Sequence, residues 1–407
     1  MAIGKLRIRV FENTMGKPVT QARFRISTTS NNQTLFESST NDNGLSEIIE
    51  LEAPSLDYSQ EPTEKKPYNE CDIWVEKPGF ERIVIKGTQI FPDVIADQDV
   101  FVNSLQENSN NAEIDYIISD HVLYGNYPQK INEEEVKPLS NPSGFVVLAA
   151  PVVPEYIVVH DGIPEDSSAK NYWIHFKDYI KNVCSSEIYP TWPTETIRAN
   201  ALAIISFTLN RVFTEWYKNK GYNFTITSVT RYDQKFIYQR NIFNEVSVII
   251  DELFSSYITK PNIDQPLFAQ YCDGQRLDCP KWLSQWGSKR LGDNGADYMS
   301  ILRNYYGSDI YLEIANQIAG IPSSYPGNIL QTGSSGASVR TIQSQLNSIS
   351  NNFPAISKIA VDGVFGSATT QATKIFQSVF NLPQTGIIDY ATWYEISKIY
   401  VAVNKLS

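Results

Sequence analysis

The fold of the central region follows from the stretch Val183-Cys184-Ser185-Ser186-Glu187-Ile188-Tyr189-Pro190-Thr191-Trp192-Pro193. It sets one carboxylic acid, Glu187, among apolar and aromatic neighbours immediately before a predicted helix. That helix is expected to begin near Thr194, because apolar residues follow at helical spacing from Ile197 to Val212. A carboxyl group that is partly withdrawn from water resists ionising and can keep a proton for donation. The pattern favours Glu187 as a proton donor, which glycosidic oxygens need in order to leave.

Two further motifs, downstream of Glu187, complete a resemblance to a known family. Asp233-Gln234 follows a predicted strand, and Ser284-Gln285-Trp286-Gly287 precedes the aromatic-rich residues 298–306. Together with residues 179–207, and in this order, they resemble the catalytic core of stage II sporulation protein D. That family cleaves the glycan strands of peptidoglycan as a lytic transglycosylase. The resemblance implies this activity here, with Glu187 as the catalytic acid.

The expected mechanism needs a single carboxylate. Glu187 would donate a proton to the glycosidic oxygen and then take one from the primary hydroxyl of the muramic acid itself, which forms an anhydro ring at high effective concentration. A glycoside hydrolase would need a second acid across the bond, and Asp233 is the candidate. Sugar-stacking faces and hydroxyl partners are expected from residues around the motifs, although each aromatic one could equally be packing: Tyr189, Trp192, Tyr232, Asp233, Gln234, Ser284, Gln285 and Trp286.

Composition and charge narrow the range of partners. The chain has 407 residues, of which 42% are apolar, enough for two or three domains with their own cores. Its formal net charge of -11 argues against nucleic acid and anionic membrane surfaces, which need basic patches, and a polysaccharide fits better. Residues 1–8 alternate like a strand and lack the apolar core of a secretory signal. The most apolar segment, residues 145–159, is broken by Pro151, Pro154 and Glu155, so no membrane span is predicted.

Four cysteines are too few and too scattered for a disulfide scaffold. Cys272 and Cys279 are close enough to bridge, to share a metal or to remain free thiols. Because the chain has only three histidines, a closed zinc site lacks partners, so a disulfide or free thiols are favoured and no metal or cofactor is predicted. Some members of the sporulation family hold zinc nearby with a histidine, where this chain has Ala269 and Gln270. Cys184 has apolar neighbours and no base at local spacing, so we expect an inert thiol.

Residues 1–103 are predicted to form strands throughout. Short apolar or alternating runs such as Leu6-Arg7-Ile8 are separated by turn formers such as Asn41-Asp42-Asn43-Gly44 and Lys77-Pro78-Gly79. A small β-sandwich is the expected fold, without a catalytic cluster. The turns resemble those of prealbumin-like and carboxypeptidase regulatory modules.

Residues 104–143 are rich in Asn, Glu, Lys and Pro. Such a polar tract buries too little surface to order itself, so we expect an exposed linker. It would serve either as a plain spacer or as a site where a protease cuts. The order of sandwich, cleavable linker and lytic domain suggests a zymogen.

Residues 144–319 are predicted to form the catalytic domain, of mixed α and β structure. An amphipathic helix is expected between Ile242 and Tyr257. Asp251 and Glu252 fall on its polar flank, and we interpret them as solvated charges rather than as a second catalytic carboxylate.

The C-terminal module, residues 334–407, follows a short linker, residues 320–333. Apolar spacing predicts three short helices, around residues 339–349, 372–379 and 393–400. Asp362-Gly363 indicates a turn with positive φ, and Gly366 is expected to start the second helix. The pattern resembles the three-helix peptidoglycan-binding domain, and this resemblance implies binding to peptidoglycan.

In this order the parts resemble the clostridial spore cortex-lytic enzymes, zymogens that degrade cortex peptidoglycan during germination. The expected protein is a multidomain α+β enzyme of the spore cortex or coat region, without a classical signal peptide. The resemblance implies activation by a serine protease of the subtilisin type, cutting within about residues 124–143. A glycan hydrolase and a non-enzymatic protein that binds the cell wall or spore coat are the alternatives. The second stays open because residues 278–283 lack the Gly-His that the sporulation family has there.

Overall fold

A computed structural model of the chain describes residues 2–105, 113–137, 150–315 and 317–404. Its first strands are β1 (Ala2–Glu12), β2 (Arg23–Thr28), β3 (Thr34–Ser39), β4 (Ile49–Ala53), β5 (Asn69–Glu76), β6 (Arg82–Ile90), β7 (Ile95–Val102) and β8 (Glu113–Ile117). A 3₁₀ helix covers Leu56–Ser59. Apolar and polar side chains alternate along these strands; in β5, Cys71, Ile73 and Val75 are buried. Each strand can therefore contribute one face to a core.

The central region combines short strands with helices. Its helices are α1 (Phe176–Glu187), α2 (Thr194–Phe213), α3 (Asn244–Leu253), α4 (Gln285–Asp293) and α5 (Tyr298–Tyr306), with a 3₁₀ turn at Lys218–Lys220. Its strands are β9 (Val152–Val153), β10 (Tyr156–His160), β11 (Asn171–His175), β12 (Ile226–Thr227), β13 (Ile242–Phe243), β14 (Ser256–Thr259), β15 (Tyr271–Cys272), β16 (Leu283–Ser284), β17 (Tyr311–Ile314) and β18 (Gln317–Ile318). Because α2 is buried on nearly every face, it forms the centre against which the other four helices pack.

Two sheets face each other across the N-terminal core, as a β-sandwich requires. One sheet has the strand order β13-β7-β1-β4 and the other β3-β2-β5-β6-β8. Leu6 and Ile8 of the first sheet share a core with Ile26 and Ile73 of the second. Two of these strands, β8 and β13, lie outside residues 1–103. Because one of them is β13, backbone hydrogen bonds join the sandwich to the central region.

The polar segment between the sandwich and the central region differs from the expected exposed linker. After β8, residues 118–137, here called the strap, lie against the central region, and several strap side chains are buried: His121, Val122, Leu123, Tyr127, Lys130 and Lys137. A polar tract cannot order itself, but a neighbouring surface orders it by pairing with its charges and amides. The expectation of an exposed linker is thus wrong for much of residues 113–137. Of the range expected to be cut, residues 138–143 lie outside the described residues.

The expected helix between Ile242 and Tyr257 is shorter, because these two residues belong to β13 and β14. Asp251 is buried rather than solvated: Lys177 donates to its Oδ1 and Lys181 to its Oδ2, both at 2.8 Å. Helical spacing places a residue on one face of its helix without showing what covers that face. Here α1 covers it.

The C-terminal module contains the three predicted helices, α6 (Ala337–Ile349), α7 (Ser367–Val379) and α8 (Tyr390–Asn404). Gly363 has the expected positive φ, and Gly366 caps the N-terminus of α7. The module lies against the central region, where Lys177 donates to Glu395 of α8 at 2.7 Å as well as to Asp251. Across the described residues, every helix is too short or too polar to pass through a membrane.

Candidate active site

Glu187 is the last residue of α1, and its side chain is fully buried. Its Oε1 accepts a hydrogen bond from the backbone N–H of Lys235 at 2.7 Å. The side-chain Nε2 of Gln285 donates to Oε2 at 3.3 Å and to the Glu187 carbonyl at 3.0 Å. Both donors are neutral. The carboxyl group is thus held in place without a hydrogen-bonded ion pair.

The chain after Glu187 turns because of its prolines. Ile188, with φ of -135° and ψ of 147°, is extended and caps α1. Tyr189 precedes Pro190, and a residue before proline is disfavoured in a helix. Pro193 then caps α2, for which fixed φ is suitable. Glu187 therefore sits at a short corner between two packed helices.

The aromatic residues predicted to stack on sugars are packed together. Tyr189, Trp192 and Trp286 are buried, and the Trp192 and Trp286 ring centroids are 5.0 Å apart. Trp192 Nε1 donates to the carbonyl of Ser59 in the sandwich at 2.9 Å. In this state the three rings support the corner after Glu187 and expose little surface to a ligand.

Asp233, the candidate second acid, has a structural role, because both oxygens of its carboxylate accept hydrogen bonds from neighbouring side chains. Its Oδ1 accepts from Arg211 Nε at 2.8 Å. Its Oδ2 accepts from Tyr217 Oη at 2.7 Å and from the N–H and hydroxyl of Thr227 at 2.9 and 2.8 Å. A carboxylate that is fully buried and accepts this many hydrogen bonds is not positioned to exchange a proton with a sugar.

The remaining predicted contact residues lie in different surroundings. Gln234 is buried and accepts from Tyr179 Oη at 3.0 Å and Thr208 Oγ1 at 2.9 Å. Ser284 caps α4 by accepting from the Gly287 N–H at 2.9 Å and stays partly exposed. Tyr232 is also partly exposed. Of the predicted set, Gln285 is the residue whose side chain hydrogen-bonds directly to the Glu187 carboxyl group.

Sequence reasoning missed Tyr127 and Lys130 of the strap, both of which interact electrostatically with Glu187. Lys130 Nζ donates to the carbonyl of Asp233 at 3.1 Å and lies 3.8 Å from the centroid of the Tyr271 ring. Burial lowers the pKa of Lys130 to about 8, although the negative charges of Glu187 and Asp233 act in the opposite direction. Burial likewise raises the pKa of Tyr127 well above its usual value. No local pattern marks these residues, because their role depends on where the strap lies.

Cys272 and Cys279 form a disulfide, one of the alternatives that the sequence left open. A zinc site of the kind found in some sporulation-family members does not fit here, because both thiols are used in the bridge. The described residues hold no group of three or more His, Cys, Asp or Glu side chains arranged for a metal ion. Cys184 is a buried free thiol, and burial raises its pKa well above the usual value, so it is a poor nucleophile.

Two open clefts border the strap. The first, of about 1080 Å³, is lined by strap residues 132–135 and by Ser284. The second, of about 850 Å³, is lined by Asn126 and Pro128 of the strap and by Lys235. Glu187 lines neither cleft. Its hydrogen-bond donor Lys235 lines the second cleft, and Ser284, which precedes its other donor Gln285, lines the first. Each cleft therefore reaches the immediate surroundings of Glu187, whose charge also interacts with Tyr127 and Lys130 of the strap.

Comparison with known proteins assigns two parts of the chain. Residues 166–249 match the family described as Stage II sporulation protein. Residues 335–396 match the family described as putative peptidoglycan binding domain. The chain contains both domains. They indicate a sporulation protein that acts on the cell wall, and Glu187, Asp233 and Gln234 lie inside the sporulation domain.

Three solved structures show partial similarity. The SleB N-terminal domain is 31% identical, with 19% of this chain and 99% of that chain covered and a TM-score of 0.17. The Bacillus anthracis TIE protein is 14% identical, with 26% and 18% covered and a TM-score of 0.18. GBS52, the minor pilin of Streptococcus agalactiae, is 9% identical, with 27% and 48% covered and a TM-score of 0.18. No curated protein matches the chain significantly.

His121 joins the strap to the sporulation domain and predicts a pH dependence of stability. It is fully buried; its Nδ1 accepts from the Leu123 N–H and its Nε2 contacts the Ile188 carbonyl, both at 3.3 Å. Burial, aided by the charge of Arg240, lowers the pKa of His121 well below 6.5. Above pH 6.5 the ring is neutral in both states. As pH falls, the unfolded chain takes up a proton that the folded chain refuses, so the free energy of unfolding decreases.

We expect the loss between pH 6.5 and 5.5 to be about 1 kcal/mol greater for the wild type than for His121→Asn. Urea unfolding at each pH measures it. Glu245, whose pKa burial raises to about 7, acts with the opposite sign in this window, and the pKa of His175 is lowered like that of His121. Both are present in the two proteins, so the difference isolates His121. Parallel curves for the two proteins would rule out the assignment.

Proposed function

We propose that this chain is the zymogen of a lytic transglycosylase that cleaves the glycan strands of spore cortex peptidoglycan during germination. The observation that carries the proposal is the setting of Glu187: a buried carboxyl group inside the sporulation domain, held by two neutral N–H donors. The other candidate acid, Asp233, is engaged by Arg211, Tyr217 and Thr227. A mechanism that uses one carboxylate twice fits this arrangement better than one that needs two.

In the proposed reaction Glu187 donates its proton to the glycosidic oxygen as the bond from that oxygen to the anomeric carbon breaks. The resulting carboxylate takes the proton of the muramic acid's primary hydroxyl, whose oxygen forms the new bond to the anomeric carbon. Glu187 ends protonated, as it began, and the product carries an anhydro ring. No water enters, because the attacking hydroxyl is part of the substrate.

Gln285 is suited to support both halves of this cycle. Its Nε2 donates to Glu187 Oε2, as a carboxylate requires, while its Oε1 is buried without a partner among the described residues. If the side-chain amide of Gln285 flips, its Oε1 can accept a hydrogen bond from the O–H of protonated Glu187. Gln285 therefore positions Glu187 in either protonation state without introducing a charge.

The peptidoglycan-binding domain would hold the enzyme on its polymeric substrate. The zymogen form is supported by the closed setting of Glu187, which lines neither cleft. The proposed activator is a serine protease of the subtilisin type, and only the resemblance of the domain order to cortex-lytic enzymes supports it.

The products decide between the candidate functions. We expect purified cortex peptidoglycan, digested with full-length chain that has first been cut with subtilisin, to release fragments with anhydro-muramic ends detectable by mass spectrometry. Reducing ends without the anhydro sugar would show a hydrolase instead. Binding without release would favour the non-enzymatic alternative, for which the enclosed position of Glu187 is the supporting observation.

A further inference from the structure

We infer that the strap, residues 118–137, is a built-in occupant of the glycan groove, and that the two clefts are the open ends of this groove. The inference rests on the proposed function and adds what keeps the site closed in the uncut chain. On this view a glycan strand would run from one cleft to the other past Glu187, along the path that the strap now takes.

The backbone of the strap binds the central region along most of its length. The Val122 N–H donates to the Ser186 carbonyl at 3.3 Å, next to Glu187. Further along, the Ile131 N–H donates to the Arg231 carbonyl at 2.9 Å, and the Phe268 N–H donates to the Glu135 carbonyl at 2.8 Å. An extended segment held through main-chain hydrogen bonds is the usual form of a peptide lying in a binding groove.

Two buried glutamines bind the strap with the chemistry that an acetylated sugar would need. Gln270 accepts from the Glu133 N–H at 2.9 Å and donates to the Ile131 carbonyl at 2.7 Å. Gln265 accepts from the Lys137 N–H at 3.0 Å and donates to its carbonyl at 2.9 Å. The acetamido groups of peptidoglycan sugars carry the same N–H and carbonyl pair as a peptide bond. Without the strap, both glutamines are free to bind acetamido groups. A buried acetamido group needs such hydrogen-bond partners.

Lys130 is a strap cation whose charge interacts with Glu187. Its ammonium group lies against the face of Tyr271 and near Glu187. Cleavage of a glycosidic bond develops positive charge on the sugar ring, and an aromatic face and a carboxylate both stabilise such charge. The strap therefore supplies a cation where the reaction would create one. Burial lowers the pKa of Lys130, because desolvation disfavours its charged form. The strap also has an anchor that is itself an ion pair.

That anchor is Glu133. Both of its carboxylate oxygens accept from Arg211, Oε1 from Nη2 at 2.6 Å and Oε2 from Nη1 at 3.1 Å. Lys137 Nζ also donates to Glu133 Oε2 at 2.7 Å. A bidentate pair with a buried arginine is strong and directional. Glu165, an exposed carboxylate of the central region that lines neither cleft, offers a matched control.

The test uses the uncut full-length chain on purified cortex peptidoglycan. We expect Glu133→Lys, which places a cation against Arg211 and Lys137, to raise glycan release by at least about tenfold over the uncut wild type. Glu165→Lys should behave like the wild type. The gain should vanish when Glu187→Gln is added. If circular dichroism shows that Glu133→Lys folds poorly, the milder change Glu133→Gln replaces it, and we expect a smaller gain in glycan release.

If the uncut Glu133 variants stay as inactive as the wild type while subtilisin-cut chains release glycan, the strap is not the inhibitor. If cut chains release nothing, the proposed function fails, and a second measurement decides the inference. Hydrogen exchange of the Ile131 and Phe268 amides is followed in the Glu133→Lys chain as soluble glycan fragments are added. Faster exchange supports competition for one groove, and unchanged exchange at fragment concentrations that bind the chain overturns it.

Discussion

Replacing Glu187 by glutamine is expected to lower glycan release by the protease-cut chain about 10³-fold, the range in which removal of a general acid and base falls. Glutamine keeps the size of the side chain, and its oxygen can still accept from the Lys235 N–H. Its amide can be accommodated by Gln285, whose Oε1 has no partner among the described residues. The variant should therefore fold normally and lack only the transferable proton. Fragment release, quantified by mass spectrometry at equal protein concentration, measures the effect.

The matched control is Glu165→Gln, which changes an exposed residue of the central region in the same way. We expect it to retain full activity, and the thermal midpoints of both variants to stay close to that of the wild type. Loss of a general acid should reduce activity by more than about tenfold. If Glu187→Gln kept more than about a tenth of the activity, the proton would have to come from another group.

The largest effect on stability is expected from Arg211→Met. Arg211 is almost completely buried and binds Asp233 on one side and Glu133 of the strap on the other. Methionine fills part of the space but leaves Asp233 as a buried carboxylate without its cation. Removing one partner of a buried ion pair costs about 3–5 kcal/mol. Urea unfolding followed by circular dichroism should show a decrease of this size in the free energy of unfolding.

Arg198→Met provides the control within the same helix. Arg198 pairs with Glu252, whose side chain is exposed, and such pairs contribute at most about 1 kcal/mol. Adding Asp233→Asn to Arg211→Met should recover part of the loss, because the unpaired charge is then removed. Equal losses for Arg211→Met and Arg198→Met would contradict the role assigned to the buried pair.

Some of the fold could be predicted because it depends on neighbouring residues. The start of α2, the three C-terminal helices and the turn at Gly363 follow from apolar spacing and from glycine and proline positions. The alternating strands of the sandwich follow from the same kind of local pattern. Glu187 itself was found from its immediate neighbours and from the resemblance that they carry.

Other features could not be predicted because they join distant parts of the chain. β13 enters the first sheet of the sandwich by pairing with β7, although a continuous helix fits its sequence equally well. Asp251 is polar in pattern yet buried, because Lys177 and Lys181 approach it from α1. The charged composition of the strap indicates exposure, but it reflects partners supplied by another region.

The amino-acid sequence alone determines the order of the elements and the corner after α1. It also identifies the lone acid at that corner. It does not determine the environment of that acid, since the acid's two hydrogen-bond donors are 48 and 98 residues away in the chain. Backbone preferences and side-chain periodicity act over a few residues, whereas burial and hydrogen bonding depend on which surfaces meet after the chain has folded. Only the assembled structure shows that a polar strap passes next to Glu187 and lines two clefts.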